Sequence, residues 1–508
     1  MKKLKYLFSA LLVFLLLPLQ GCDTESLHNL NINPTVAEEI DPGFILAYTQ
    51  LQTSGERFEN WRTQLIYQST MIQQLSALAG YWSGDKYFWN DEYSGALWAR
   101  AFTNYIKDLS NLIEITDPTV SGQEQYVNYH AIARIWKVVA FQRITDIYGD
   151  VPYFNAGKGF SERVFFPQYD SQREIYFDML NELEEAAMML NNSAASPGNQ
   201  DLIYGGNIDQ WKRYANSMML RLALRMVKVD AAAAQQWTQK AISGGVMQSN
   251  ADISYIQHTD GPGGINRNGL GEVFNWNGQR FTNDDASRLS KTFVDWMDNH
   301  ADPRLERLSW VVSGGEPLGR PNGFDATTIL QFDPDYNGDN YSRVNPVFVT
   351  NDSPMVFQTY SEVQFMLAEA IERGWHSGSA EAHYNAGVRA AMEQYGMLYG
   401  ATVEISPGEI DAYLAANPYN SAEWNRVIGE QYWAVTFLNF YETFANWRRT
   451  GFPQLTPTNY PGNQSGGTIP RRLRYPASEA SGNPDAYNAA VNRQGPDEFT
   501  TRMWWDAQ

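Results

Sequence analysis

Between residues 123 and 148, Tyr126, Ile132, Ile135, Trp136, Val139, Ala140, Ile144 and Ile147 recur at three- and four-residue steps. That spacing lays one apolar stripe along an α-helix. Gly149 supplies a stop, and Val151-Pro152 forbids continuation. The pattern returns at 171–191 (Ile175, Met179, Leu180, Leu183, Ala186), at 208–228 (Trp211, Ala215, Met218, Leu222), at 360–374 (Val363, Met366, Leu367, Ala370) and at 425–447. A further helix is expected from about residue 42, with Asp41 as N-cap and Pro42 in the first turn. Within 123–148, Arg143 and Asp146 stand three apart and are expected to pair. The chain therefore reads as mainly α, built from helical pairs. No clean 34-residue period is legible, so periodicity alone does not establish repeats.

Long irregular segments separate the helices, at roughly 245–290, 302–358 and 450–508, and they are rich in Gly, Asn, Asp and Pro. Loops of that length in a compact body are usually functional surfaces. The runs 253–256 and 309–312 predict small β-hairpins.

Cys22 is the only cysteine in 508 residues, so an intramolecular disulfide is excluded. It closes a leader made of Lys2, Lys3 and Lys5, an apolar stretch from Tyr6 to Leu19, and Leu19-Gln20-Gly21-Cys22. The stretch has the length of a signal-peptide core and is short for a membrane span. Leu-x-Gly-Cys resembles the lipobox of bacterial lipoproteins, which implies cleavage before Cys22 and acylation of its sulfur. Residues 1–21 are read as the signal peptide, 22–40 as a lipidated tether and 41–508 as the body, with loop-rich ligand-binding insertions at about 245–358 and 450–508. Asp23 and Glu25, just past the cysteine, resemble a surface-export signal of Bacteroidota lipoproteins. Losing residues 1–21 removes three lysines and no acid, leaving 35 basic against 57 acidic side chains. A body this acidic, with no Lys/Arg-rich run, is a poor partner for nucleic acid.

The stretch Ala133-Arg134-Ile135-Trp136 through Gln142-Arg143-Ile144-Thr145-Asp146-Ile147-Tyr148-Gly149-Asp150-Val151-Pro152-Tyr153 resembles a hallmark of the SusD/RagB family of surface lipoproteins. So do Asp209-Gln210-Trp211-Lys212-Arg213-Tyr214-Ala215-Asn216-Ser217, Ser361-Glu362-Val363-Gln364-Phe365-Met366-Leu367-Ala368-Glu369-Ala370, Asn446-Trp447-Arg448-Arg449-Thr450-Gly451-Phe452-Pro453 and Ile469-Pro470-Arg471-Arg472. Order and spacing match from Asn33-Pro34 to the C-terminus. Read from their own chemistry, these motifs are scaffold. Trp447, Arg448 and Arg449, for example, offer an aromatic with planar donors that lock a loop. The resemblance implies a tetratricopeptide-like helical-repeat scaffold with a packed loop-rich region. It also implies an outer-membrane location facing the exterior, and glycan capture for a partner SusC-like TonB-dependent β-barrel transporter. Some members of the family take peptides instead.

Nine aromatics fall within residues 81–105, among them Tyr81, Trp82 and Trp89, and Ser83-Gly84-Asp85 and Asn90-Asp91 interrupt them as a loop would. A pyranose offers an apolar C–H face to an aromatic ring, while its hydroxyls need amide, carboxylate or guanidinium partners. Tyr81, Trp82 and Trp89 are therefore candidate ligand contacts, with core packing as the competing role. Trp98 and Tyr105 sit on a helical face and are expected in the core. A second candidate is the loop around Trp276, Asn277 and Arg280. Asp333-Pro334-Asp335-Tyr336-Asn337-Gly338-Asp339 resembles the start of a calcium loop, but Val344 stands where the bidentate glutamate belongs, so an Asx-rich turn is the better reading and no cofactor is expected. The chain has no Gly-x-Ser-x-Gly, His-Glu-x-x-His or Walker motif, and its six histidines are scattered. A non-enzymatic glycan binder is the leading reading. A peptide binder and a surface glycosidase with a spatial carboxylate pair remain the alternatives.

Overall fold

The computed structural model describes residues 40–262, 264, 266–275 and 287–507. The principal helices are α1 (Pro42–Thr53), α2 (Ile106–Ile115), α3 (Val127–Tyr148), α4 (Gln172–Met189), α5 (Ile208–Arg225), α6 (Ala231–Gly244), α7 (Lys291–Asn299), α8 (Tyr360–Glu372), α9 (Ala380–Tyr399), α10 (Pro407–Ala416), α11 (Trp424–Val435), α12 (Phe440–Thr450) and α13 (Pro484–Gln494). A ten-residue π-helical stretch, Asn60–Ser69, follows a single α-turn, Arg57–Glu59. Sequence neighbours pack as pairs, α3 on α4, α5 on α6, α8 on α9 and α11 on α12, and the pairs join through α4–α5, α5–α8, α8–α11 and α3–α12. This is the tetratricopeptide-like helical scaffold expected.

Local chemistry sets the helix ends. Ser171 and Glu174 form a capping box at α4, and Thr359 and Glu362 form another at α8. Gly149 ends α3 at φ +85° and ψ −117°, a backbone conformation that residues with a side chain rarely adopt. The stretch expected to be one helix over 425–447 is two, α11 and α12. Between them Leu438 takes φ +72°, and the Thr443 hydroxyl donates back to Thr436 O at 2.8 Å.

Strand pairing differs from the hairpins expected. Ser254–Gln257 pairs antiparallel with Pro354–Gln358, and Ser309–Trp310 with Arg343–Val344. Each strand finds a partner far along the chain, so the loop-rich region is stitched together by long-range pairs. The segment 450–508 also sends anchors into the core: Ile469, Leu473, Tyr475 and Trp505 are buried.

A charged network runs through the helical core. Arg225 Nη2 meets Glu442 Oε2 at 2.7 Å, and Arg221 Nη2 meets Glu362 Oε2 at 2.6 Å. The Tyr432 hydroxyl reaches both carboxylates, at 2.9 and 3.0 Å. Asp146 accepts from Trp505 Nε1 at 3.0 Å and from the Tyr176 hydroxyl. The expected Arg143–Asp146 pair is not made. Arg143 points to Thr53 O at 2.7 Å and lies over the rings of Phe357 and Tyr441, because those groups and not Asp146 line its side of α3.

Candidate functional site

The first turn of the Arg57–Ser69 helix presents two aromatic side chains three residues apart. Phe58 is 42% exposed and Trp61 is half-buried beside it, ring centroids 6.3 Å apart. Tyr81, 43% exposed, meets Trp61 edge to face at 5.9 Å and 78°. The three rings form one open face. Two guanidinium groups brace it: Arg57 lies 4.9 Å from the Phe58 centroid, and Arg62 lies 5.0 Å from Phe58 and 5.5 Å from Tyr93. Arg62 also donates to Glu92 at 2.6 Å, so a carboxylate acceptor and guanidinium donors border the aromatic planes.

The loop that delivers Tyr81 is fixed from below. Ala77, Leu78 and Ala79 are buried, and Trp82, 3% exposed, turns inward. The buried Lys86 ammonium donates to Ala77 O at 2.9 Å and Trp82 O at 3.1 Å, and pairs with Asp85 at 3.1 Å. Asp85 Oδ2 in turn accepts from Asn322 Nδ2 at 3.0 Å and Gly323 N at 3.2 Å. Gly84 rests on the π-helical stretch so closely that a Cβ would stand 2.2 Å from Ile66 O. Gly80, beside Tyr81, faces open space.

Of the candidate residues, Tyr81 lies on the open face. Trp82 does not: its ring is part of the hydrophobic core, where it offers no free plane to a ligand, and this corrects its assignment as a contact. Tyr81 stands at the corner of the turn Ala79–Trp82, closed by the Trp82 N–H donating to Ala79 O at 3.0 Å, and the chain turns inward directly after it. Trp89 is half-buried under Arg474, whose guanidinium stands 4.0 Å from its ring, while its backbone N–H donates to Gln464 at 2.6 Å. Trp98 and Tyr105 are in the core, as expected. Trp276, Asn277, Arg280 and Cys22 lie outside the described residues. The chain leaves the described region after Gly269–Phe274, which packs on Arg57–Glu59, and re-enters at Arg288–Leu289, which pairs with Leu75–Ser76.

Phe58, Trp61, Arg57 and Arg62 were not singled out from the sequence. The signal was present as two aromatics at i and i+3 flanked by arginines. Beneath this face Glu59 is fully buried, and burial raises its carboxyl to about 8 against the opposing donation of the Tyr441 hydroxyl at 3.0 Å. Asp333 and Asp335 form an Asx turn, Asp335 N–H donating to Asp333 Oδ1 at 3.2 Å. Asp333 also accepts from the Tyr341 hydroxyl at 2.9 Å. Among the described residues no group of three or more His, Cys, Asp or Glu side chains is placed to hold a metal ion, and no helix is long and apolar enough to cross a membrane.

A family model described as "starch-binding associating with outer membrane", the SusD-like family, matches residues 34–476. Among solved structures, a chitin-binding protein is 34% identical with a TM-score of 0.82, covering 92% of this chain and all of its own. A SusD-like protein of the Bacteroidetes is 27% identical with a TM-score of 0.81 and the same coverage. A chitin-binding SusD homolog from Flavobacterium johnsoniae is 23% identical with a TM-score of 0.77, covering 92% of this chain and 98% of its own, a likeness of fold. No curated protein matches at the level of sequence.

Proposed function

The chain belongs to the SusD-like family of starch-binding proteins that associate with the outer membrane, and from that premise we propose that it captures glycan at the cell surface through the Phe58–Trp61–Tyr81 face. The observation that carries this reading is the open aromatic surface itself. Large rings left in solvent and braced by arginines have little to offer stability and much to offer a sugar ring. The 34% identical chitin-binding relative favours oligosaccharides of β-linked N-acetylglucosamine as the ligand class. Arg57, Arg62 and Glu92 supply the polar partners for hydroxyl and acetamido groups. From the sequence pattern, Trp89, Trp276, Asn277 and Arg280 remain proposed contacts.

In this reading the protein is a binder and holds its ligand without bond making or breaking. Acylated Cys22 tethers it to the outer membrane facing the exterior, and the glycan passes to a partner SusC-like TonB-dependent β-barrel transporter. The test is equilibrium binding of residues 23–508 to a panel of chitin, starch and other plant and fungal oligosaccharides. Retention of a chitin oligosaccharide above the rest supports the reading. Retention of none, with peptides co-purifying instead, rejects it.

A further inference from the structure

A second cleft, of about 420 Å³, opens between α7, α10, α11 and the loop 417–420. None of its lining residues belongs to the Phe58–Trp61–Tyr81 face. Its volume falls in the range of small-ligand sites, about 300–1,000 Å³. On one wall Trp296 and His300 pack at a tilt, 4.6 Å and 34°, and on the other Tyr419 packs against Tyr384 at 5.0 Å. The floor is polar and buried: the Tyr413 hydroxyl accepts from Gln431 Nε2 at 2.6 Å and keeps a proton to donate. Gln431 is oriented by Arg304 Nη2 at 3.0 Å.

The charges around this cleft are already matched. Arg426 is held by Glu430 at 3.0 Å and Glu423 at 2.5 Å, and Trp296 Nε1 also donates to Glu430, at 3.3 Å. Arg304 is held by Asp302 at 2.6 Å. Of these groups only Arg426 and Glu430 line the cleft itself, and they pair with each other, so the lining offers no unmatched charge to recruit an ion. Aromatic planes set beside fixed amide, hydroxyl and carboxylate groups suit a neutral polyhydroxylated ring. We propose that this cleft is a second saccharide site, taking a mono- or disaccharide unit independently of the aromatic face. The cleft stands on its own geometry, and the ligand class rests on the glycan reading above.

The test is calorimetric titration with three disaccharides, N,N′-diacetylchitobiose, cellobiose and maltose. The proteins are the wild type, the Trp61→Ala/Tyr81→Ala variant, and each of these carrying Asn420→Trp. Residue 420 is an exposed rim position, so the tryptophan fills the cleft without disturbing the core, and an unchanged Tm checks this. The expected result is saturable binding of at least one disaccharide that survives in Trp61→Ala/Tyr81→Ala and weakens more than tenfold when Asn420→Trp is added. If the wild type binds a disaccharide and Asn420→Trp leaves every isotherm unchanged, the cleft proposal falls and the glycan reading stands. If Asn420→Trp alone abolishes all binding by the wild type, and Trp61→Ala/Tyr81→Ala binds every disaccharide as the wild type does, the cleft proposal stands and the aromatic-face reading falls. If the wild type binds none of the three, both fall.

Discussion

Arg449 sets its two terminal nitrogens against the two carboxylate oxygens of Glu369, at 2.7 and 2.8 Å, with both side chains buried. The two residues come from separate family motifs, Ser361–Ala370 and Asn446–Pro453. Their meeting ties α12 to α8, and it marks these motifs as scaffold. Burial alone would raise the Glu369 carboxyl, but Arg449 and Arg373 outweigh it and hold it at about 2. A bidentate pair of this kind is strongly destabilised when one partner is lost.

Arg449→Met is therefore expected to cost about 3–5 kcal/mol of stability. Ligand affinity of the folded fraction should be unchanged. Because the folded carboxyl sits below its unfolded value, the stability it gives is present above about pH 4.5 and is lost as pH falls toward 2. Urea denaturation of wild type and variant between pH 3 and pH 7 checks both statements. A pH-independent difference would contradict the pairing.

Glu59 carries the opposite sign. Its folded carboxyl is raised to about 8 by burial, and its Oε2 has no hydrogen-bond partner among the described residues. The native state therefore holds a proton that the unfolded chain releases near pH 4.5, and stability falls as pH rises toward 8. Glu59→Gln keeps the acceptor for Tyr441 and removes the titration. The variant should match wild type near pH 4.5 and exceed it in Tm at pH 8. Parallel Tm curves across that range would refute the assignment.

Trp82 separates packing from binding. As a buried ring, Trp82→Ala is expected to cost about 3–5 kcal/mol. Gly84→Ala should act on the same loop by pushing against Ile66 O, with a cost of roughly 1–3 kcal/mol and a displaced Tyr81. Thermal melts of both variants provide the check. A Trp82→Ala protein with wild-type Tm would return Trp82 to the list of surface contacts.

The proposed anchor is tested apart from the site. Cys22→Ala should leave oligosaccharide affinity in vitro intact and abolish glycan uptake by cells. Uptake that persists with the protein free in the periplasm or medium would contradict a tethered role.

The fold was legible because its strongest signals are periodic. The stripes at 123–148, 171–191, 208–228 and 360–374 became α3, α4, α5 and α8 nearly within their expected limits. The split at Leu438 was not legible, since a leucine at positive φ has no local signature and only the packing of α11 against α12 imposes it. α6 and α9 were missed, their alanine-rich faces giving a weak hydrophobic contrast. Strand partners were missed because pairing across a hundred residues is a tertiary fact. At the site, composition pointed to the 81–89 loop, but whether Tyr81 or Trp82 faces solvent depends on how the Lys86–Asp85 pair turns the chain. Phe58 and Trp61 needed the helix at 57–69 to be known first.

The most direct measurement is calorimetric titration of chitohexaose into wild type and into Trp61→Ala/Tyr81→Ala. Tyr81 is exposed and Trp61 half-buried, so the variant should stay folded, with a melt to confirm it. The account predicts affinity reduced at least tenfold, about 1.4 kcal/mol or more. A folded variant with wild-type affinity would show that the aromatic face is not where this protein holds its ligand.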